Sequence, residues 1–350
     1  MHQTTISTNT IATLQGILQT ANNDKVLFIT DNNVKRFCFT KDFCKQTGID
    51  INQIITISAG DENKSIYSAI MLWEQLVEKE ATRHTLIVNV GGGMITDIGG
   101  FVASTFKRGV EYINISTTLL GAVDAATGGK TGINFMGYKN EIGVFKPAKQ
   151  VIIAADLFTT LNIENIRSGF SEMIKHALIS SPKDFNDSLK FDLDNPDFQQ
   201  LNTLLERNVR IKEGIVERDP YEKNVRKALN LGHTVGHALE SHSHTTEKPA
   251  LHGYAIIWGI VAELYLSQKK LQFPKETLLQ MVELMKTYYG KANITCKQYD
   301  TLIELMRHDK KNLSADQINF TLLSGIGEIH INQTVSKEEI KEALDFLQNC

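Results

Sequence analysis

The chain has 350 residues, 42% of them hydrophobic, and a formal net charge of −3. That length suffices for two ordinary domains with a core each, and the near-neutral balance gives nucleic acid or an anionic membrane no electrostatic hold. The cysteines Cys38, Cys44, Cys296 and Cys350 form no C-x-x-C pair, and no basic-then-apolar leader opens the sequence, so a cytoplasmic protein with reduced thiols is expected. The longest apolar run, residues 255–266, is broken by Glu263 and is too short to span a bilayer.

In chain order, β-rich runs at 26–30, 54–57, 85–90, 112–116 and 151–153 predict strands. Between the second and third, Ile66, Ala69, Ile70, Trp73, Leu76 and Val77 recur with helical period. Strands separated by helices imply βαβ units, hence a Rossmann-like α/β domain with a mostly parallel sheet over residues 1–155. From 156 onward helical patterns take over, at 163–180, 200–217, 226–240, 253–269 and 275–288, and predict an all-α domain to residue 350. The polar stretch 181–200 reads as a surface connection. A cleft between the two domains is the expected place for a site.

The third strand runs into Gly91-Gly92-Gly93-Met-Ile-Thr96-Asp97. Glycines let the backbone approach a pyrophosphate, and a following helix offers free N–H groups and its positive dipole end. The spacing nearly matches a dinucleotide fingerprint, but its third glycine is absent. The candidate ribose ligand, Asp31, ends the first strand and so precedes the glycines instead of following them. An NAD-type ligand is expected in an order unlike the usual one.

The segment Arg226-Lys-Ala-Leu-Asn230-Leu-Gly232-His233-Thr-Val-Gly236-His237 carries the densest chemistry. Read as one helix, Arg226, Asn230, His233 and His237 share a face. Gly232 and Gly236 would each weaken such a helix by roughly 1 kcal/mol, which implies a close backbone approach there. His252 and Glu172 are further donors from elsewhere in the chain, and two histidines with one carboxylate and an open position make a catalytic zinc pattern. His242 and His244, in a polar stretch, read as solvated.

Cations are in surplus: Arg108, Lys130, Lys139 beside Asn140, Lys175, Lys212, Arg226 and the pair Lys310-Lys311. Gly128-Gly-Lys130-Thr131 is not a phosphate-binding Walker loop, because Asp124 stands where the earlier glycine is needed. Cations beside a metal site imply an anionic substrate with more than one charged group.

Together these motifs resemble the 3-dehydroquinate synthase family of the sugar-phosphate cyclases. They are Gly-Gly-Gly-x-x-x-Asp97, Arg108-Gly, Thr117-Thr118-Leu-Leu with Asp124, Gly-Gly-Lys130-Thr, Lys139-Asn140, Ser-Gly-x-x-Glu172-x-x-Lys175, Leu-Asn230-x-Gly-His233-x-x-Gly-His237, Leu-His252-Gly and Asp309-Lys-Lys. The resemblance implies zinc or cobalt on Glu172, His233 and His252. It implies NAD against Asp31, Asp61, Lys64, Gly91, Gly92, Gly93, Asp97, Thr117, Thr118, Asp124, Lys139 and Asn140. Substrate would meet Lys130, Asn140, Lys175, Lys212, Arg226, Asn230, His237 and a lysine of the 310–311 pair, with Arg108 reaching the partner's site in a homodimer. The implied substrate is 3-deoxy-D-arabino-heptulosonate 7-phosphate: transient oxidation at C5 acidifies C6–H, phosphate is eliminated, C5 is reduced again, and an intramolecular aldol step closes the ring. Family members usually carry Glu where Asp61 stands. They also commonly carry Glu where Tyr254 stands, which removes one candidate for a carboxylate beside His252.

Overall fold

A computed structural model describes residues 3–125, 128–136, 138–307 and 318–350. The chain divides into two compact units, Met1–Asn162 and Ile163–Cys350. In the first, the strands are β1 (Gln3–Ser7), β2 (Val26–Asp31), β3 (Ile54–Ile57), β4 (Leu86–Gly91), β5 (Glu111–Ser116), β6 (Lys130–Phe135), β7 (Tyr138–Phe145) and β8 (Gln150–Ala154). Its helices are α1 (Thr10–Thr20), α2 (Asn32–Cys38), α3 (Lys41–Thr47), α4 (Ile66–Glu78) and α5 (Gly93–Thr105).

One six-stranded sheet runs β1-β8-β5-β4-β2-β3, parallel throughout. Its strands bury both faces, as crossover helices require. Leu27, Ile29, Ile55, Ile57 and Ile87 pack with Leu72 and Leu76 of α4 and Ile95, Ile98 and Val102 of α5. The alternate residues Val26, Phe28, Ile54, Leu86 and Val88 pack on the other side with Leu14 and Ile17 of α1. All five expected strands form. Ile70 and Val77, counted on the apolar face of α4, are instead exposed. The edge strand β1 and the antiparallel β6–β7 hairpin are additions to the expected set.

The second unit contains α6 (Ile163–Leu178), α7 (Pro182–Leu189), α8 (Phe198–Arg218), α9 (His233–Ser243), α10 (His252–Leu271), α11 (Lys275–Tyr288), α12 (Tyr299–Arg307), β9 (Asn319–Gly325), β10 (Glu328–Thr334) and α13 (Lys337–Asn349). Helix α10 is apolar around most of its circumference, with Ala255, Ile256, Ile257, Ile260, Val261 and Leu264 fully buried, and so forms the centre of this unit. The helical expectation holds, with one antiparallel hairpin, β9–β10, added.

Two local expectations are corrected. Within 181–200 a helix forms, because Ser181 caps the Asp184 N–H and Pro182 occupies the first turn. Residues 226–240 are not one helix. Val225–Asn230 is a short 3-10 turn, Gly232 is left-handed at φ +78°, and α9 starts at His233. A side chain at Gly232 would be both strained and 2.4 Å from Ile260 Cγ1, so the break is enforced by backbone conformation and by α10 together. Arg226 and Asn230 therefore do not share a helix face with His233 and His237.

Candidate active site

Helix crossings assemble the densest donor group. Cβ atoms placed on Gly253 and Gly259 of α10 would come within 2.0 Å of Ser168 O and Gly232 O. Only glycine lets α6 and the start of α9 approach α10 this closely. The expected close approach at Gly232 and Gly236 is thus the packing of α10, since Gly236 likewise faces Ala255 O at 3.0 Å. Glu172 of α6, His233 at the start of α9 and His252 at the start of α10 are brought together by these contacts.

Glu172 is completely buried. Its Oε1 lies 3.7 Å from His233 Nε2 and 3.5 Å from His252 Nε2, and the three donors lie within 4.8 Å of one another. Ligand atoms about 2.0–2.2 Å from a tetrahedral ion stand about 3.4 Å apart. The donor set, one carboxylate and two imidazole nitrogens, therefore fits a divalent ion in spacing and in chemistry. His233 is oriented by Nδ1 donating to Leu231 O at 3.1 Å, and His252 by Nδ1 against Glu240 Oε2 at 3.2 Å. Burial drives the His252 imidazolium to lose its proton, but the carboxylates of Glu240 and Glu172 outweigh it and raise the group to about 10. Two carboxylates thus favour positive charge at this point, which a metal ion would supply in the proton's place.

Glu240 answers the question raised by Tyr254: the carboxylate beside His252 comes from α9, while the Tyr254 ring packs against Tyr289. The spacing of His233, His237 and Glu240 along one helix face was the signal for it. The rings of His233, His237 and His252 lie 5.0–5.9 Å apart, so His237 borders the donor group. Among the described residues, His242 and His244 join no metal-type cluster, and His244 is exposed.

Three of the expected cations in this unit are buried. Lys175 is 1% exposed and its Nζ pairs with Glu172 Oε2. Lys212 and Arg226 are each 3% exposed. His176 is driven down to about 3 by burial and by Lys175 and Lys212 nearby, so it is neutral, and its Nδ1 bonds Asn208 Oδ1 at 2.6 Å. Asp219 anchors the loop holding Arg226, its carboxylate accepting the N–H groups of Lys223, Asn224 and Arg226. Arg226 Nη1 also donates to Pro220 O, and Asn230 Nδ2 donates to Glu222 Oε1 at 2.9 Å. Residue patterns alone did not single out Glu240, Asn208, Asp219 or Glu222. Lys310 and Lys311 lie outside the described residues.

In the first unit Asp31, Gly91, Gly92, Gly93, Thr117 and Thr118 lie at or just past the carboxyl ends of β2, β4 and β5, whereas Arg108 precedes β5 and Lys130 and Asn140 belong to the β6–β7 hairpin. Ile29 of β2 is paired with Asn89 of β4, so these neighbours end at Asp31 and Gly91. From β2 the chain moves outward to β3, and from β4 it moves to β5 on the other side. The crevice between Asp31 and the glycine loop is therefore the topological switch point, where such sheets bind ligands. This resolves the inverted order: Asp31 comes first in sequence, yet its strand lies beside the glycine loop in space. Asp31 Oδ1 also accepts the N–H groups of Asn33 and Val34.

The glycine loop is tightly held. Thr117 N–H donates to Gly91 O at 3.0 Å, Thr118 Oγ1 accepts Gly121 N–H at 3.1 Å, and a Cβ on Gly92 would press on Thr118 at 3.1 Å. Gly93 faces Ala125, in the turn that holds Asp124. Lys64 bridges Asp61 at 3.4 Å and Asp97 at 3.2 Å, and Lys139 reaches Asp61 at 3.4 Å. Burial pushes Asp97 up to about 6 against the pull of Lys64. Asn140 N–H donates to Asn134 Oδ1, while Lys130 is exposed. Lys107 and Arg108 are both left-handed, at φ +48° and +69°, and both are exposed.

Solved structures share this fold. It is similar to 2-deoxy-scyllo-inosose synthase, solved with carbaglucose-6-phosphate, NAD+ and Co2+, at a TM-score of 0.85 and 23% identity, covering 97% of this chain and 95% of that one. It is also similar to 2-epi-5-epi-valiolone synthase from Streptomyces hygroscopicus subsp. jinggangensis, solved with NAD+ and Zn2+, at a TM-score of 0.84 and 22% identity, covering 100% and 97% of the two chains. The fold is shared with these two synthases. Within it, the 3-dehydroquinate synthase N-terminal model matches residues 54–168 and the C-terminal model residues 169–312. A 3-dehydroquinate synthase of Parabacteroides distasonis is 50% identical over 335 residues, 95% of this chain and 94% of that one. The chain belongs to the 3-dehydroquinate synthase family.

Proposed function

We propose that the protein converts 3-deoxy-D-arabino-heptulosonate 7-phosphate to 3-dehydroquinate and phosphate, a carbon–oxygen lyase reaction that uses NAD without consuming it and needs one divalent metal ion. The observation that carries this reading is the convergence of Glu172 Oε1 with Nε2 of His233 and His252, at 3.5–3.7 Å, beside buried Lys175. A simple polyol dehydrogenase needs a metal triad and a dinucleotide; it does not need Lys175, Lys212 and Arg226 buried in the same unit. A substrate carrying both a carboxylate and a phosphate gives those cations a purpose.

Bound to Glu172, His233 and His252, a zinc or cobalt ion would supply a Lewis acid for the substrate's hydroxyl oxygen, and NAD a reversible acceptor of hydride. Asp31 would receive ribose hydroxyls, and the loop 91–93 with the amino end of α5 the pyrophosphate. Lys64, Asp61 and Asp97 hold that loop to the segment before α4, and Lys139 ties in the β6–β7 hairpin. Lys175, Lys212, Arg226 and Asn230 would grip the anionic groups, with Lys130, Asn140 and a lysine of the 310–311 pair contributing. His237, bordering the triad, would carry protons at the leaving phosphate. Arg108, presented on two left-handed residues, would reach the neighbouring subunit of a cytoplasmic homodimer.

The test is turnover with NAD far below substrate, monitoring phosphate and absorbance from NADH together. The expected result is many phosphates per NAD with no lasting NADH signal. NADH accumulating in step with product would replace this reading with a dehydrogenase.

A further inference from the structure

Helix α9 begins at His233, directly after Gly232, which has no side chain with which to cap the first turn. A buried helix start left with open N–H groups is costly. The missing cap is supplied from the middle of α10. Glu263, 0% exposed, accepts the Gly232 N–H through Oε2 at 2.6 Å and the Val235 N–H through Oε1 at 3.2 Å. The two bonds flank His233, one residue before it and two after. The contact of Gly259 with Gly232 O sets the distance across which this side chain reaches.

We propose that Glu263 is a positioning residue of the metal centre: by clamping the backbone on both sides of His233 it fixes the direction of that imidazole toward Glu172. A carboxylate buried in an otherwise apolar helix carries a desolvation cost of several kcal/mol. Two charge-assisted bonds to a helix amino end offset it, but α9–α10 packing alone could be met by an apolar residue. An apolar residue would leave the Gly232 and Val235 N–H groups open and the backbone on both sides of His233 untethered. With Nδ1 on Leu231 O, the His233 ring is then constrained from the backbone and from its far nitrogen together. This inference rests on the reading that Glu172, His233 and His252 hold the metal.

The experiment compares E263Q with the parent protein after metal removal and reloading with Co2+. An amide in place of the carboxylate keeps the shape but turns an NH2 group toward one of the two N–H donors. The expected result is a ten- to hundred-fold weaker Co2+ affinity by chelator competition, the usual range for residues that orient ligands. A changed cobalt ligand-field spectrum and unchanged NAD affinity should accompany it. A lower unfolding midpoint with Co2+ affinity and spectrum unaltered would overturn the proposal, leaving Glu263 a packing residue. If E263Q does not fold, the parent protein decides through amide exchange, since coupling between cap and metal is reciprocal. Co2+ should slow exchange at Gly232 and Val235 more than at Leu344 in α13, and equal slowing at all three would overturn it. H233A separates the two readings. If H233A keeps stoichiometric Co2+, the metal assignment itself fails; if H233A loses it and E263Q binds normally, only the role of Glu263 fails.

Discussion

At the residue scale the site is governed by what surrounds each imidazole. His233 and His252 both aim Nε2 at one oxygen of Glu172, and each has its other nitrogen held, by Leu231 O and by Glu240. A carboxylate on the far side of a ligand histidine fixes its tautomer and strengthens it as a donor. We therefore expect E240Q to keep the fold and lose about ten- to a hundred-fold in metal affinity. E172A, H233A and H252A should each lose stoichiometric metal by elemental analysis, and H242A should not. Normal metal affinity in E240Q would show that His252 needs no such partner. Glu240 was not singled out, although it continues the step from His233 through His237 on one helix face and could have been found that way. Glu172 and His252 come from separate helices, so no spacing joins them to His233; the donor chemistry of a zinc site suggested them, and the family resemblance fixed the set. A charge inside the apolar run of α10 was a visible anomaly, but nothing in the sequence says where Glu263 points.

At the scale of elements, the second unit is organised by glycines that remove the space between helices. Gly259→Ala would place a methyl group 2.0 Å from Gly232 O and 2.6 Å from Gly236 N, against backbone that has no rotamer to change. Overpacking of this kind costs about 1–3 kcal/mol or more. Displacement of α9 should also move His233 away from Glu172. The expected outcome is a lower unfolding midpoint together with weakened metal binding, measured on the same preparation. A destabilised G259A with parental metal affinity would mean that α9 can shift without disturbing the triad. The same contacts explain where sequence patterns succeeded and failed. Runs such as Leu27–Ile29 read correctly as strands because both faces of the sheet are buried. The 226–240 segment misread as one helix because the left-handed conformation of Gly232, at a point where Ile260 of another helix leaves no room for a side chain, leaves no periodic trace. The hairpin β9–β10 was missed although Phe320 and Leu322, and Ile329 and Ile331, alternate with polar residues, and β6–β7 was missed in a stretch rich in glycine and turn residues.

For the whole molecule, chemistry is distributed over two units with separate cores. The residues expected to hold NAD, from Asp31 to Asn140, lie in the first, and the proposed metal donors with Lys175, Lys212 and Arg226 lie in the second. Inverting the usual chain order of acid and glycine loop does not disturb the first group, because β2 and β4 are neighbours whichever comes first. This partition has a measurable consequence. K212A or R226A removes a charge-assisted contact worth about 1.5–3 kcal/mol, so the apparent substrate constant should rise on the order of ten- to a hundred-fold and turnover should fall. NAD affinity, measured by titration without substrate, should stay at the parental level. D31A should do the reverse, weakening NAD while retaining one metal ion per chain. Lys130 and Asn140 are the exceptions to watch, since they are expected substrate contacts carried by the first unit. If K212A lost NAD affinity in parallel with substrate affinity, the assignment of cofactor to one unit and substrate anions to the other would be wrong.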